Sequence, residues 1–450
     1  MKPTAQHFPA TSLLLAAILV PFTVTAAENH NWPRFRGPNA DGRAPETTKL
    51  PDTWSAAENV KWAADVPGWG WSSPVVWGDR VYITSVSSNA KNTAPRKGLY
   101  LGPGVRDPAK GVHHWLVHCF DLNTGDLIWR HEAHTGRPVV PRHPKSSYGA
   151  ETAATDGERV YILFGDLGLY CYSMDGKPLW EQRIAPRKTM ADYGAAASPI
   201  VHNGQVIVVY DNQEDSYIAS FDAKSGAEQW RKKRAERSTW ATPYIWENDK
   251  RTEIVVCGKR RNRSYSLDGE ELWEFDGNMS NLVIPSPFAV DGLLYIASGY
   301  VGDRNRPVFA VRPGGSGDIT LRDGERSNDF IAWHQPQAGP YNPSPIVYRG
   351  RYYTLYDFGF LTCHDAKTGR EVYDKVRFPG GRSSFTSSPL ACGGKLYFLS
   401  EDGVTYVVQA GDEFKLLQRN SVEELCLASP AISRNKLLIR TVSKLYCIGE

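Results

Sequence analysis

Apolar and polar residues alternate through most of the chain, and turn residues interrupt the alternation at short intervals. The segment from His118 to Arg130, HCFDLNTGDLIWR, shows the unit. An apolar strand ends at Asp121, a tight turn with Gly125 follows, and a second strand carries Trp129. Four further segments repeat this pattern: YSMDGKPLW (172–180), FDAKSGAEQW (221–230), YSLDGEELW (265–273) and HDAKTGREVY (364–373). A hairpin that recurs along a chain indicates a solenoid or a propeller.

A small residue followed by proline marks the start of the first strand of each repeat. The eight starts are Pro74, Ala153 (where proline is replaced), Pro199, Pro243, Pro287, Pro345, Pro389 and Pro430. Each start leads into a strand, a turn and an alternating second strand, and the hairpin above supplies strands three and four. The sequence therefore predicts eight four-stranded units.

The eighth unit ends at residues 444–450 (KLYCIGE), one strand short, whereas residues 59–63 (NVKWA) form an orphan strand. We therefore predict an all-β fold, an eight-bladed β-propeller of four-stranded antiparallel blades, in which the N-terminal strand completes the last blade. Such closure leaves no sheet edge unpaired. The alternative, an open solenoid, leaves the orphan strand and the incomplete last unit unexplained.

The 450 residues divide into three predicted parts. Residues 1–26 contain Lys2, an apolar run and small residues before a plausible cleavage site, which is typical of a signal peptide and too short for a membrane span. Residues 27–58 are rich in Pro and Gly and are expected to form an extended surface arm. Residues 59–450 form the propeller. We expect a periplasmic or secreted monomer without a membrane span.

The repeated tryptophans are interpreted as packing between blades, because an indole buries a large area and its N–H can bond a backbone carbonyl. The residues in this set are Trp62, Trp129, Trp180, Trp230, Trp273 and Trp333. Function is then expected in residues that the repeat does not explain.

Aromatic and basic residues collect in the loops of one face, where the connections between strands two and three and between blades emerge. The aromatic residues that precede the inner strands are Trp69, Trp71, Tyr148, Tyr193, Trp240, Tyr341 and Phe385. The basic residues expected on this face include Arg142, Lys145, Arg187, Arg234, Arg237, Arg261 and Arg382. Blades three and four should present a positive sector, because residues 231–239 carry five bases and one Glu and residues 258–263 carry four bases and no acid. An insertion at about residues 87–114 is placed to act as a lid.

Cations beside aromatic rings suit an anionic or aromatic-rich partner. The alternative is a solvated basic rim whose aromatic residues pack on their own scaffold. The formal net charge of +3 gives no indication of nucleic acid as the partner.

Glu151 is the single anomaly of the inner strands, because other repeats place a small residue or proline there. Its carboxylate could bind a metal, pair with a rim arginine or contact water. Glu151 is the one candidate metal ligand, and no complete metal site is predicted around it. We find no set of nucleophile, base and orienting residue.

The segments DLNTGDLIW, DAKSGAEQW and DAKTGREVY resemble the quinoprotein-alcohol-dehydrogenase-like superfamily, the eight-bladed propellers of PQQ-like repeats. The resemblance covers about Trp62 to Glu450 and implies the propeller fold. The resemblance implies one of two functions. The first is that of the PQQ-dependent dehydrogenases, which hold a quinone and Ca²⁺. The second is that of a non-enzymatic branch, similar to the propeller lipoprotein of the outer-membrane β-barrel assembly machine. This sequence has no adjacent Cys pair, no position that matches the catalytic Asp, and no lipidation Cys near the cleavage site.

The leading functional hypothesis is a non-catalytic, exported binding scaffold. Its basic, aromatic-rich face would engage a protein or an anionic cell-envelope component, and no cofactor is expected. The alternative is a PQQ- or metal-dependent oxidoreductase acting on an alcohol or sugar, with Glu151, Trp71 and Trp240 in a site for PQQ and Ca²⁺.

Overall fold

Eight antiparallel sheets follow one another along the chain in a computed structural model. It describes residues 30–90, 94–98, 107–380 and 383–450, together with Met1 and Thr4. The predicted signal peptide, much of the blade-one insertion and Arg382 lie outside the described residues. The described residues include one 3-10 turn, Met190–Asp192, and no helix long and apolar enough to cross a membrane.

The strands are numbered in chain order and grouped by blade. The outermost strand of blade eight is β1 (Val60–Asp65). Blade one contains β2 (Val75–Trp77), β3 (Arg80–Ser88), β4 (His113–Asp121) and β5 (Leu127–Gly136). Blade two contains β6 (Ala154–Thr155), β7 (Arg159–Phe164), β8 (Gly168–Ser173) and β9 (Pro178–Arg183). Blade three contains β10 (Ile200–His202), β11 (Gln205–Tyr210), β12 (Tyr217–Asp222) and β13 (Glu228–Lys233). Blade four contains β14 (Tyr244–Glu247), β15 (Thr252–Val256), β16 (Asn262–Tyr265) and β17 (Glu271–Phe275).

The second half of the ring continues in the same way. Blade five contains β18 (Phe288–Val290), β19 (Leu293–Ala297), β20 (Val308–Val311) and β22 (Ile331–Gln335), and β21 (Gly317–Asp318) lies in its last connection. Blade six contains β23 (Ile346–Tyr348), β24 (Arg351–Tyr356), β25 (Phe360–Asp365) and β26 (Glu371–Arg377). Blade seven contains β27 (Leu390–Cys392), β28 (Lys395–Leu399), β29 (Val404–Gln409) and β30 (Lys415–Ser421). Blade eight contains β31 (Ala431–Ser433), β32 (Lys436–Arg440) and β33 (Lys444–Ile448), beside β1.

The predicted all-β propeller and its closure are confirmed. Each inner strand begins one residue after its predicted start, and β1 pairs antiparallel with β33, with Trp62 opposite Cys447. The last sheet therefore has the order β1-β33-β32-β31. Blade four departs from the four-strand plan, because β21 adds a short parallel strand to the outer edge of β17.

Five repeated tryptophans make the same contact with the following blade. Trp129 illustrates it: the indole lies against Gly176, and its Nε1–H donates to the Met174 carbonyl over 3.2 Å. Gly176 has φ of +85°, and a Cβ there would lie 2.7 Å from the ring, so the turn requires glycine. The equivalent indoles donate to the carbonyl oxygens of Leu122, Ala223, Leu267 and Ala366. Trp273 differs because the β21 segment covers it: it packs on Gly315, and its Nε1–H donates to the Glu253 carboxylate of its own blade over 2.6 Å.

Residues 30–58 extend across one end of the channel, opposite the loops that connect strands two and three of each blade. They are more buried than the predicted surface arm would be. Trp32 and Arg36 are each 1% exposed. Trp32 exchanges two backbone hydrogen bonds with Val76 of blade one. The Arg36 guanidinium donates to the carbonyl oxygen of Pro345, at the start of blade six, and lies 4.8 Å from the centre of the Phe288 ring of blade five.

A ring of eight hydroxyl side chains lines the centre of the propeller, one directly before each inner-strand start. Its members are Ser73, Thr152, Ser198, Thr242, Ser286, Ser344, Ser388 and Ser429. In seven of the eight steps the backbone N–H of one member donates to the hydroxyl oxygen of the next, over 2.8–3.1 Å. The step from Ser429 to Ser73 lacks this bond, and the Ser73 hydroxyl has no hydrogen-bond partner among the described residues. This hydroxyl ring ties the inner strands together everywhere except at the closure.

Replacement of Trp62 by Ala tests the closure of the propeller. Loss of the indole contact should lower the free energy of unfolding by about 3–5 kcal/mol, the usual cost of removing a large buried aromatic side chain. Trp180→Ala, which removes the same contact between blades two and three, is the matched control, and urea denaturation should give similar losses for both. If Trp62→Ala left the free energy of unfolding unchanged while Trp180→Ala lowered it, closure by β1 would be contradicted.

Replacement of Ser388 by Ala tests the hydroxyl ring. The variant leaves the buried Ser344 N–H without its acceptor, which should cost about 1–3 kcal/mol of stability. Ser73→Ala is the matched control, because the Ser73 hydroxyl accepts no such bond and its N–H bond to Thr152 is kept. Equal melting temperatures for the two variants would show that the ring bonds do not hold the blades together.

Candidate functional site

A cavity of about 220 Å³ occupies the centre of the channel. The hydroxyl ring surrounds it, and Phe35 lines it from the side of the arm. Four aromatic residues predicted at the channel mouth also line it: Trp71, Tyr193, Trp240 and Tyr341. These residues come together because each stands three to six residues before the start of an inner strand, in a different blade.

The two indoles of the cavity wall are held in fixed positions. Trp71 Nε1–H donates to the Lys145 carbonyl and Trp240 Nε1–H to the Gly194 carbonyl, each over 2.8 Å. Tyr193 packs on Trp240 with ring centroids 6.0 Å apart. Because both indole N–H groups are bonded to backbone, the wall offers mainly ring faces to the cavity.

Lys145 lies at the edge of the cavity in a buried ion pair. Its Nζ lies 2.5 Å from Glu401 Oε1 and 2.8 Å from Thr386 Oγ1, and the Glu401 side chain is 1% exposed. The other Glu401 oxygen accepts the Gly98 N–H over 2.8 Å. The charge of Lys145, predicted to face a partner, is therefore neutralised inside the protein. Residues 94–98 are a described part of the blade-one insertion. They contact blade seven through the Gly98–Glu401 hydrogen bond and through a 2.6 Å ion pair between Lys97 and Asp402.

Glu151 is buried and does not line the channel cavity. Its Oε1 accepts the Gly165 N–H over 3.0 Å. Burial, together with the nearby charge of Asp166, raises the pKa of Glu151 to about 8. The carboxyl group is therefore largely protonated at neutral pH, which disfavours metal binding. No group of three or more metal-ligating His, Cys, Asp or Glu side chains occurs in the described part of the chain.

Five of the nine bases counted in blades three and four, including Lys233 with Asp215, lie within 4.0 Å of an acid among the described residues. Arg234 donates to both oxygens of Asp211, and both side chains are fully buried. Three further ion pairs join Arg231 to Glu228, Arg261 to Asp318 and Arg263 to Glu236, with distances of 2.5, 2.9 and 3.0 Å. Asp211, Glu228 and Asp318 lie outside the two segments in which charges were counted, so the count overstated the positive charge of this sector.

The remaining predicted site residues are dispersed. Trp69, Tyr148 and Arg142 line a separate small cavity beside blade one, where the Arg142 guanidinium lies 5.6 Å from the centre of the Tyr148 ring. Phe385 is fully buried in the core between blades six and seven. Arg187 faces Glu214 over 3.8 Å, and Arg237 is exposed.

A second cavity, the 5/6 groove, was not predicted from the sequence; it lies on the channel face between the loop 298–307 of blade five and the loop 357–359 of blade six. Its volume is about 330 Å³. Its lining residues are Gly299, Tyr300, Val301, Arg306, Gly339, Tyr341, Tyr356, Asp357, Phe358, Phe360 and Lys375. The segment YDFGF, residues 356–360, was the available signal, because it places three aromatic residues around a loop of the channel face.

Glu151→Gln tests the protonated state of the buried carboxyl group. Because the folded-state pKa of about 8 exceeds the usual value of 4.5, the folded state binds more protons than the unfolded state between these values. Stability should therefore be full below about pH 4.5 and fall as the pH rises toward 8. Gln keeps the acceptor for Gly165 but does not ionise, so the variant should melt at least about 2 °C higher than wild type at pH 8. Equal melting curves for the two proteins from pH 5 to 8.5 would contradict the assignment.

Comparison with known proteins agrees with this architecture. Residues 113–274, from β4 to β17, match the family model of the outer membrane protein assembly factor BamB. No curated protein sequence matches the chain.

Solved structures are similar in fold at low sequence identity. BamB from Moraxella catarrhalis aligns with a TM-score of 0.54 and 14% identity, over 81% of this chain and 98% of that one. The quinohemoprotein alcohol dehydrogenase from Comamonas testosteroni aligns with a TM-score of 0.59 and 14% identity, over 95% and 82%. A europium-containing methanol dehydrogenase aligns with a TM-score of 0.56 and 12% identity, over 92% and 90%. The chain is therefore an eight-bladed β-propeller built from PQQ-like repeats, and BamB and the quinohemoprotein alcohol dehydrogenases are among its structural neighbours.

Proposed function

We propose that this propeller is a non-catalytic, exported scaffold of the cell envelope that binds a protein partner through its channel face. The channel face comprises the loops between strands two and three of each blade and the loops between blades. The matching family model supports the proposal, since its description names a factor in outer membrane protein assembly. The observation that carries the proposal is the composition of the channel.

The channel contains few groups that are free to do chemistry. The hydroxyl ring and fixed aromatic rings form most of its lining, and the Lys145–Glu401 pair holds the cation and the carboxylate at its edge. His143 also lines the cavity, and its Nδ1 accepts the Lys145 backbone N–H over 3.1 Å. Asp357 lies beyond the wall, where burial raises its pKa to about 7 and Asn342 donates to it over 2.7 Å. A rigid, nearly neutral channel suits a structural role better than acid–base catalysis.

The residues present do not fit the calcium-bound quinone site that the family resemblance implied. Glu151, its candidate carboxylate ligand, is largely protonated, bonded to Gly165 and absent from the cavity lining. Ca²⁺ takes six to eight oxygen ligands, including ionised carboxylates, and the described cavity lining offers none of these carboxylates.

Calorimetric titration of the mature protein with PQQ, with and without Ca²⁺, separates the two functions. We expect no saturable heat and no dye-linked oxidation of alcohols or sugars by the same sample. Stoichiometric PQQ binding with turnover would contradict the scaffold proposal and would identify the protein as an oxidoreductase.

Photo-crosslinking in the native envelope tests the use of the channel face. A photoreactive amino acid is placed at Val139, Arg237 or Phe358 of the channel face, and at Leu127, Leu179 or Leu417 of the outer strands as controls of comparable exposure. We expect discrete protein adducts from the channel-face positions and none from the outer strands. Adducts from outer strands alone, or from both sets equally, would contradict the proposal.

A further inference from the structure

The 5/6 groove exposes two large apolar side chains on the channel face. Phe358 is 42% exposed and Val301 is 37% exposed, on opposite sides of the groove. Tyr300, Tyr356 and Phe360 form its walls. Adjacent exposed apolar side chains around a concave site are typical of a binding surface.

Three cations surround these aromatic rings. The Arg306 guanidinium lies 6.0 Å and the Lys375 ammonium 5.2 Å from the centre of the Tyr356 ring, and the Arg377 guanidinium lies 5.3 Å from the centre of the Phe360 ring. Such stacking holds a cation in place without neutralising its charge.

None of these three cations forms an ion pair with a carboxylate among the described residues. Arg306 reaches only the amide oxygen of Gln337, over 3.4 Å, and its Nε has no acceptor. Asp303, the nearest acid in its loop, accepts hydrogen bonds from Ser280 and Asn281 instead.

Arg231 of blade three provides the contrast. Its guanidinium also stacks on a tyrosine, at 4.0 Å from the centre of the Tyr217 ring, but it pairs with Glu228 over 2.5 Å. The three stacked cations of blades five and six, which have no ion pair among the described residues, therefore lie beside the only groove of that face with exposed phenylalanine in the part of the chain that the structure describes.

We propose that the 5/6 groove binds an extended segment of the partner protein that inserts an apolar side chain between acidic residues. The apolar side chain would fill the space between Val301 and Phe358, and the flanking carboxylates would meet Arg306, Lys375 and Arg377. Guanidinium groups match carboxylates in shape and charge, and prior stacking on a ring reduces the side-chain freedom lost on binding. This inference rests on the proposed scaffold function and names the partner chemistry at one part of its face.

Fluorescence polarisation of labelled, terminally blocked peptides on the full mature protein tests the proposal. The probe DELFED carries an apolar centre and acidic flanks, KKLFKK reverses the charge, and DESSED lacks the apolar centre. We expect DELFED to bind at least about tenfold more tightly than either of the others, because each lacks one of the two complementary features.

Two variants and one matched control locate the binding site. Phe358→Ser and the double variant Arg306→Gln with Lys375→Gln should each weaken DELFED binding about tenfold. Arg231→Gln removes a stacked arginine whose charge is already paired, so it should leave binding unchanged. Unaltered melting temperatures show that the variants fold.

Several results would overturn the proposal. These are DELFED binding no more tightly than KKLFKK, equal losses in the Arg231 variant and the groove variants, or phosphatidylglycerol vesicles that bind through Phe358 while the peptide does not. If DELFED fails while adducts at Val139 and Arg237 persist, the scaffold function stands and the groove assignment falls. If the peptide does not bind and no channel-face position forms an adduct, the scaffold function and the groove assignment are both contradicted.

Discussion

The antiparallel pairing of β1 with β33 is the interaction on which the remaining structure depends, because it converts eight consecutive sheets into a ring. The seam it closes is also where the inner hydroxyl ring lacks a bond, between Ser429 and Ser73. The arm compensates at this point: the His30 carbonyl accepts the Ser433 hydroxyl of blade eight, and Trp32 pairs with Val76 of blade one. The outer strand β1 and the N-terminal arm thus hold blades eight and one together from two sides. The channel and its cavity exist because the ring is closed.

The fold could be predicted from the sequence because its determinants are local and repeated. The eight inner-strand starts and five of the six tryptophan contacts follow from the same few residues at the same positions of the repeat. Trp273 could not be predicted in the same way, since its partners come from Glu253 and from a connection about forty residues further along the chain. The hydroxyl ring was visible as a Ser/Thr-Pro pattern, but its function as an acceptor for the neighbouring blade depends on distances between blades that no local pattern specifies.

The candidate site was less predictable because charge depends on partners that are distant in sequence. Lys145 and Glu401 are separated by 256 positions, and Arg234 and Asp211 by 23. Counting bases within short segments therefore overstated the positive charge of blades three and four, where five of the nine counted bases pair with acids. The aromatic residues predicted at the channel mouth divide into groups: Trp71, Tyr193, Trp240 and Tyr341 line one cavity, whereas Phe385, which stands as far before Pro389 as Tyr341 stands before Pro345, turns into the core between two blades.

These differences follow from the symmetry of the propeller. Repetition places similar groups around the axis, so the channel is nearly neutral and lined by hydroxyl groups, seven of which accept a backbone N–H bond from the neighbouring blade. A site that distinguishes one partner from another must instead arise where one blade differs from the others. At blades five and six the loops add aromatic residues, and the neighbouring cations form no ion pair with the loop acids Asp303 and Asp357, which accept hydrogen bonds from other residues instead. The stability of the ring therefore comes from its repeated residues, and selective recognition is expected from the loops in which the repeat is broken.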